Sequence, residues 1–125
     1  MSTFTLGSFG AGIAPFIAVP DITKSIGYYR DVLGFHVDMI DSGFALVSRD
    51  GATIMLQEHP GPVKHSPRWA AYIWVPDIEM SLANLTSRSV KFTQPVASTP
   101  WGTREFQVED HDGYQLRFSQ IGSIE

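Results

Sequence analysis

The chain of 125 residues contains no cysteine, which excludes disulfides, thiolate metal sites and cysteine nucleophiles. Basic residues are few, 9 Lys and Arg against 13 Asp and Glu, for a formal net charge of −4. Phosphate binding needs a basic stripe, so nucleic acid is excluded as the main partner; a neutral or cationic small ligand is compatible with the balance. No apolar run approaches the ~20 residues of a membrane-spanning helix, and no membrane partner is expected. Met1 to Gly12 has no Lys or Arg ahead of its apolar stretch, unlike a secretory signal, so a cytoplasmic location is the expectation. No glycine-rich phosphate loop leads from a strand into a helix, and no Gly-x-Ser-x-Gly elbow is present.

What is present is a repeat. The 43% hydrophobic and 18% charged content suits one globular domain. Slid by 56 residues, Ala14 to Ser25 falls on Ala70 to Ser81. Seven of the twelve pairs are then identical: Ala14/Ala70, Ile17/Ile73, Val19/Val75, Pro20/Pro76, Asp21/Asp77, Ile22/Ile78 and Ser25/Ser81. Asp50-Gly51 recurs as Asp112-Gly113, 62 residues on, so a short insertion separates the two matches. One domain over 1–125 is expected, with a first module over about 12–60 and a second over about 68–120.

Both copies follow one physical script. Ile13 to Val19 and Arg68 to Val75 are apolar, aromatic and β-branched, and each ends at a Val-Pro pair, as strands do. Asp21 and Asp77 stand where a helix N-cap belongs. Ile22, Ile26, Tyr29 and Leu33 then form one apolar helical face, which Ile78, Leu82 and Leu85 repeat, and Gly34 is a natural stop. Further strands are expected at Phe35–Ile40, Phe44–Ser48 and Thr53–Glu58, and at Lys91–Val96, Glu105–Glu109 and Tyr114–Ser119. Asp-Gly turns mark the last hairpin of each copy. The class is α+β, two tandem βαβββ modules.

At this point the chain resembles the glyoxalase/bleomycin resistance protein/dioxygenase (vicinal oxygen chelate) superfamily. The resemblance is carried by Val19-Pro20-Asp21-Ile22 through Ser25 to Phe35, and by Trp101-Gly102-Thr103-Arg104-Glu105-Phe106 through Asp110-His111-Asp112-Gly113-Tyr114. The stretch Met55 to Gly61 is similar to the corresponding part of bleomycin-binding proteins. The resemblance implies a curved mixed sheet around a ligand cavity, but no single function, because the superfamily hosts isomerases, dioxygenases, thiol transferases and drug-binding proteins.

Metalloenzymes of that family draw His or Glu ligands from the first and last strand of each module. The matching positions here are Ala14, Met55, Ala70 and Arg117. A methyl group cannot coordinate a cation, a thioether suits only soft metals, and a guanidinium repels them. No cofactor is therefore expected, and Lewis-acid chemistry on an enolate or on oxygen is disfavoured. A His/His/Glu site from His59, His65 and Glu58 is imaginable, but loop histidines are more often merely solvated. His36 and His111 read as strand-edge and turn residues, with His111 between two aspartates.

Strand alternation sends Ile17, Val19, Ile54, Leu56, Ile73, Val75, Leu116 and Phe118 toward the helices. Ala14, Phe16, Ala18, Met55, Gln57, Ala70, Tyr72, Trp74, Gln115 and Arg117 then face the cavity. Phe16, Met55, Gln57, Tyr72, Trp74, Trp101, Glu105 and Arg117 are the candidate ligand-binding residues; no catalytic residue is assigned. That mixture suits a planar or amphipathic organic molecule, although the aromatics are equally able to fill the cavity or pack at a dimer seam. Arg117 either pairs with Glu105 as a structural replacement for the lost ligand, the favoured reading, or receives a ligand carboxylate or phosphate. The expected function is metal-independent binding of a small molecule, an antibiotic or an aromatic metabolite. The alternatives are a lyase, isomerase or dioxygenase-like enzyme of the same fold with displaced metal ligands, and a protein-interaction module. A homodimer is expected from the resemblance, with Phe4, Leu6 and Phe9 packing across it.

Overall fold

The computed structural model describes residues 13–59 and 69–121. The Phe4, Leu6 and Phe9 segment and His65 lie outside them. The elements run β1 (Phe16–Val19), α1 (Ile22–Gly27), a π-helical turn (Tyr28–Val32), β2 (His36–Asp41), β3 (Phe44–Arg49) and β4 (Ala52–Glu58). The second module follows with β5 (Trp69–Trp74), α2 (Ile78–Thr86), β6 (Lys91–Ser98), β7 (Thr103–Glu109) and β8 (Gln115–Ile121). Both modules are βαβββ units, and the strands form two four-stranded mixed sheets, ordered β1-β4-β3-β2 and β5-β8-β7-β6. The duplication is thus reproduced strand for strand: β1 runs parallel to β4, as β5 does to β8.

Local chemistry explains the boundaries. Asp21 Oδ1 accepts from the Lys24 amide at 3.1 Å and Asp77 Oδ1 from the Met80 amide at 3.1 Å, satisfying donors that a first helical turn leaves orphaned. The expected helix through Leu33 is instead α-helical only to Gly27 and then widens. The Leu33 amide donates to the Tyr28 carbonyl, five residues back, at 3.1 Å, a π-type bond. The wider turn accompanies full burial of the Tyr29 ring and a 2.8 Å bond from its hydroxyl to Asp110 Oδ2, an anchor 81 residues away that periodicity cannot anticipate. Gly34, at φ 75°, ends the segment in the left-handed region.

The β3–β4 turn is the tight one. Asp50 adopts φ 53° and only Gly51 follows before β4. Its counterpart is longer: Asp110 to Tyr114 form a loop closed by the Asp110 amide on the Tyr114 carbonyl at 2.8 Å. The first strand is shorter than expected, beginning at Phe16 rather than Ile13. The second-module strands β6, β7 and β8 reach two residues beyond their expected ends or starts. Edge strand β6 tolerates Pro95 because its register slips there, between Gln94 and Ala97.

One apolar core joins the modules. Ile17, Val19, Val47, Ile54 and Leu56 from the first sheet meet Ile73, Phe106, Val108, Leu116 and Phe118 from the second, with Tyr29, Leu33, Ile78 and Leu85 from the helical segments among them. Since the inner face of each sheet is committed to this core, the alternate residues of both sheets point outward. That geometry decides where a site can be.

Candidate functional site

The outward face of the first sheet is built by register: Phe16 lies beside Met55, which pairs with Leu46, and Ala18 lies beside Gln57, which pairs with Phe44. Phe16 is 69% exposed, Gln57 is exposed and Met55 half-buried. This face is mostly apolar. On the second sheet Tyr72 lies beside Arg117, and Trp74 beside Ser119. Across the β7–β8 ladder Glu105 pairs with Ser119, Gln107 with Arg117 and Glu109 with Gln115. The internal repeat therefore places Phe16 with Met55 exactly as Tyr72 with Arg117, with apolar chemistry on one face and polar chemistry on the other.

The second face carries a continuous polar network. Glu105 is 2% exposed. Its Oε1 accepts from Arg117 Nη1 at 2.9 Å, and its Oε2 from the Thr103 and Ser119 hydroxyls at 2.9 Å each. Tyr72 extends the chain through a 3.1 Å bond to Ser119 Oγ. Arg117 also donates through Nη2 and Nε to Gln107 Oε1, at 2.7 and 3.1 Å. Gln107 Nε2 in turn reaches Gln115 Oε1 at 2.9 Å, and Gln115 Nε2 reaches Glu109 Oε1 at 2.9 Å. A carboxylate this buried is tolerated because both of its oxygens accept hydrogen bonds, one of them from a guanidinium. Sequence reasoning named Tyr72, Glu105, Gln115 and Arg117 but missed Thr103, Gln107, Glu109 and Ser119; the period-two polar runs Glu105-Gln107-Glu109 and Gln115-Arg117-Ser119 were the available signal.

Of the two roles open for Arg117, the geometry supplies the first: it is ion-paired to Glu105. Tyr72 and Trp74 meet edge-to-face, their rings 5.0 Å apart. Trp101 is 63% exposed in the β6–β7 loop. Ala70 departs from the expected alternation: it falls in a register shift of β5 and packs against the core. Phe16, Met55 and Gln57 thus assemble on one sheet, and Tyr72, Trp74, Glu105 and Arg117 on the other.

The residues at the metal-ligand positions do not fit a hard divalent cation. Ala14 and Ala70 have no donor atom, Met55 offers a thioether and Arg117 a cation. Among the described residues no three His, Asp or Glu side chains converge in a metal-binding arrangement. His36 and His59 are exposed, and His111 Nε2 instead contacts Ser25 Oγ at 3.0 Å and Asp112 Oδ2 at 3.1 Å.

Beside that histidine lies a second buried polar cluster, at the seam of the modules. Asp110 Oδ1 accepts from the Asp112 and Tyr114 amides, both at 2.9 Å. Burial raises the Asp110 carboxyl above its ordinary range, against the lowering effect of its bonds from Tyr29 and these amides. Burial, reinforced by the Asp110 charge, pushes the Tyr28 phenol up to about 12 and the Tyr29 phenol well above its ordinary value. The Tyr114 hydroxyl crosses to the Ala18 carbonyl at 2.6 Å. These groups tie α1 and β1 to the β7–β8 loop, which is a structural task.

The comparisons agree with this architecture. The family model of the Glyoxalase/Bleomycin resistance protein/Dioxygenase superfamily matches residues 11–118, and the chain belongs to that superfamily. Among solved structures, the fold is similar to that of the bleomycin-binding protein from bleomycin-producing Streptomyces verticillus, complexed with copper(II)-bleomycin: 24% identity, 98% of this chain and 100% of that one covered, TM-score 0.72. It is also similar to TioX from Micromonospora sp. ML1, at 21% identity, 90% and 99% coverage and TM-score 0.72. A superfamily member from Sphaerobacter thermophilus DSM 20745 shares 26% identity over 90% of this chain and 98% of that one, with TM-score 0.67. No curated protein matches the chain in sequence. Among the described residues no helix is long and apolar enough to cross a membrane.

Proposed function

We propose that the protein captures a small, planar or amphipathic organic molecule without metal, between the outward faces of its two kinds of sheet. The observation that carries this reading is the pairing of Phe16 with Met55 on one face and of Tyr72 with Arg117 on the other. The first pair offers apolar contact, and the second offers a ring beside a guanidinium already held by Glu105 and Gln107. Neither offers the hard donors that the family's metal chemistry uses.

Within one chain both faces point away from the shared core, so neither can close a cavity on the other. A homodimer resolves this if the apolar face of one copy meets the polar face of its partner. Exposed Phe16, Trp74 and Met39 then become buried, as an apolar patch of this kind requires. The bleomycin-binding neighbour makes copper(II)-bleomycin a reasonable first ligand to try, and an aromatic metabolite the next.

Titration of a panel of planar aromatic compounds, copper(II)-bleomycin included, against tryptophan emission tests the reading. Saturable quenching with the compound recovered chemically unchanged is the expected result. Conversion of a compound to product, lost on replacing Glu105 or Arg117, would move the protein to the enzymes of this fold.

A further inference from the structure

A cleft of about 310 Å³ opens between the modules, where α2 approaches the β3–β4 hairpin, and shares only Trp74 with the candidate residues above. Its floor is apolar, with Leu33, Phe35, Ile73 and Phe118; Arg49 and Asn84 bring polarity to its wall. Arg49 Nη1 donates to the Leu33 carbonyl at 2.6 Å, and its Nη2 to Asn84 Oδ1 at 2.7 Å. Arg88 Nε donates to the same amide oxygen at 3.2 Å. Two guanidinium groups therefore converge on one neutral acceptor. Both also crowd Gly34, where a Cβ would stand 3.0 Å from Arg49 Nη1 and 3.0 Å from Arg88 Cζ.

Like charges held this close repel, yet no carboxylate among the described residues lies within ion-pair distance of either. The two acids on the rim do not serve: Asp77 caps α2, and Asp50 is exposed at its turn. Most of the guanidinium N–H donors are left over. We propose that the cleft binds a small organic anion with an apolar body, a medium-chain or aromatic carboxylate. Its acid group lies on Arg49 in the wall, with Arg88 behind Asn84 adding positive charge from outside the lining, and its body lies against Phe35 and Phe118. The volume is at the small end of ligand sites, which excludes a bulky antibiotic. Apart from Trp74 the site is separate from the outward sheet faces, and its test reads residues outside them, so it stands or falls independently of the function proposed above.

Octanoate and 1-octanol, added in turn to the full-length protein and followed by amide chemical shifts, test this. Octanoate is expected to bind about tenfold more tightly than octanol, the value of one charge-assisted contact, with shifts centred on Gly51, Ser81 and Leu85. Arg49→Gln is expected to weaken octanoate about tenfold and leave octanol unchanged; the unchanged octanol affinity shows that the variant keeps the cleft despite losing its bond to the Leu33 carbonyl. Equal affinity for acid and alcohol, no selective loss of octanoate in Arg49→Gln, no binding at millimolar octanoate, or shifts centred on Tyr72 and Gln107 instead would each overturn the proposal.

Discussion

Arg117 Nη1 stands 2.9 Å from Glu105 Oε1, on adjacent strands of the second sheet, with only 1% of the Glu105 side chain exposed. The pair joins β7 to β8 by charge. Removing one partner leaves a largely buried charge without its counter-charge. Arg117→Met and Glu105→Gln are each expected to cost about 3–5 kcal/mol, whereas the double variant Glu105→Leu/Arg117→Met should cost less than either. Urea denaturation midpoints measure this. Single-variant losses under about 1 kcal/mol, the level of an exposed pair, would show that the pair is not holding the sheet.

The seam cluster makes a second, separable prediction. Tyr29→Phe deletes the 2.8 Å bond to Asp110 while keeping the ring, and should cost about 1–3 kcal/mol at neutral pH. Asp110 has a folded pKa above its unfolded one. Its contribution is therefore fully present below the unfolded value of 3.8 and is lost as pH rises through the raised folded pKa. Asp110→Asn should flatten that part of the stability profile. A wild-type profile that Asp110→Asn leaves unchanged in the acid range would contradict it.

At alkaline pH the tyrosines dominate. Unfolded tyrosine ionises near 10, but burial and the Asp110 charge raise folded Tyr28 to about 12 and folded Tyr29 well above its ordinary value. The folded state thus keeps protons that the unfolded chain has released, and stability should fall as pH rises through this window. Phenolate absorbance followed through an alkaline titration of the folded protein should show fewer than all 4 tyrosines titrating near 10, and Tyr28→Phe should delete the step near 12.

The proposed homodimer makes a prediction on mass. Phe16 and Trp74 are 69% and 57% exposed within one chain, so Phe16→Glu and Trp74→Glu should change the folding stability of a monomer by no more than about 0.5 kcal/mol. In a homodimer they place a charge in a buried seam, and light scattering should report half the wild-type mass. A wild-type monomer at micromolar concentration would remove the dimer.

Much of the architecture is legible without coordinates because it depends on local, repeating rules. Asp21 and Asp77 cap helices since their side chains reach the third amide onward, whatever surrounds them. Ile17, Val19, Leu116 and Phe118 reach the core because alternation leaves them no other face. The π-helical turn was not legible, since Tyr29 bonds a loop 81 residues away. Nor was the shift of Ala70 to the core, which follows from a bulge that residue identity does not signal.

The sequence by itself determined the duplicated βαβββ modules, their caps and turns, and which residues could share a sheet face, because periodicity and short-range bonding act between neighbours in the chain. Only the tertiary structure decided that both inner faces merge into one core, that Arg117 is claimed by Glu105 and Gln107, and that Arg49 and Arg88 converge on Asn84. Those outcomes depend on how separate elements pack, and burial then makes each polar group choose a partner that no local pattern specifies.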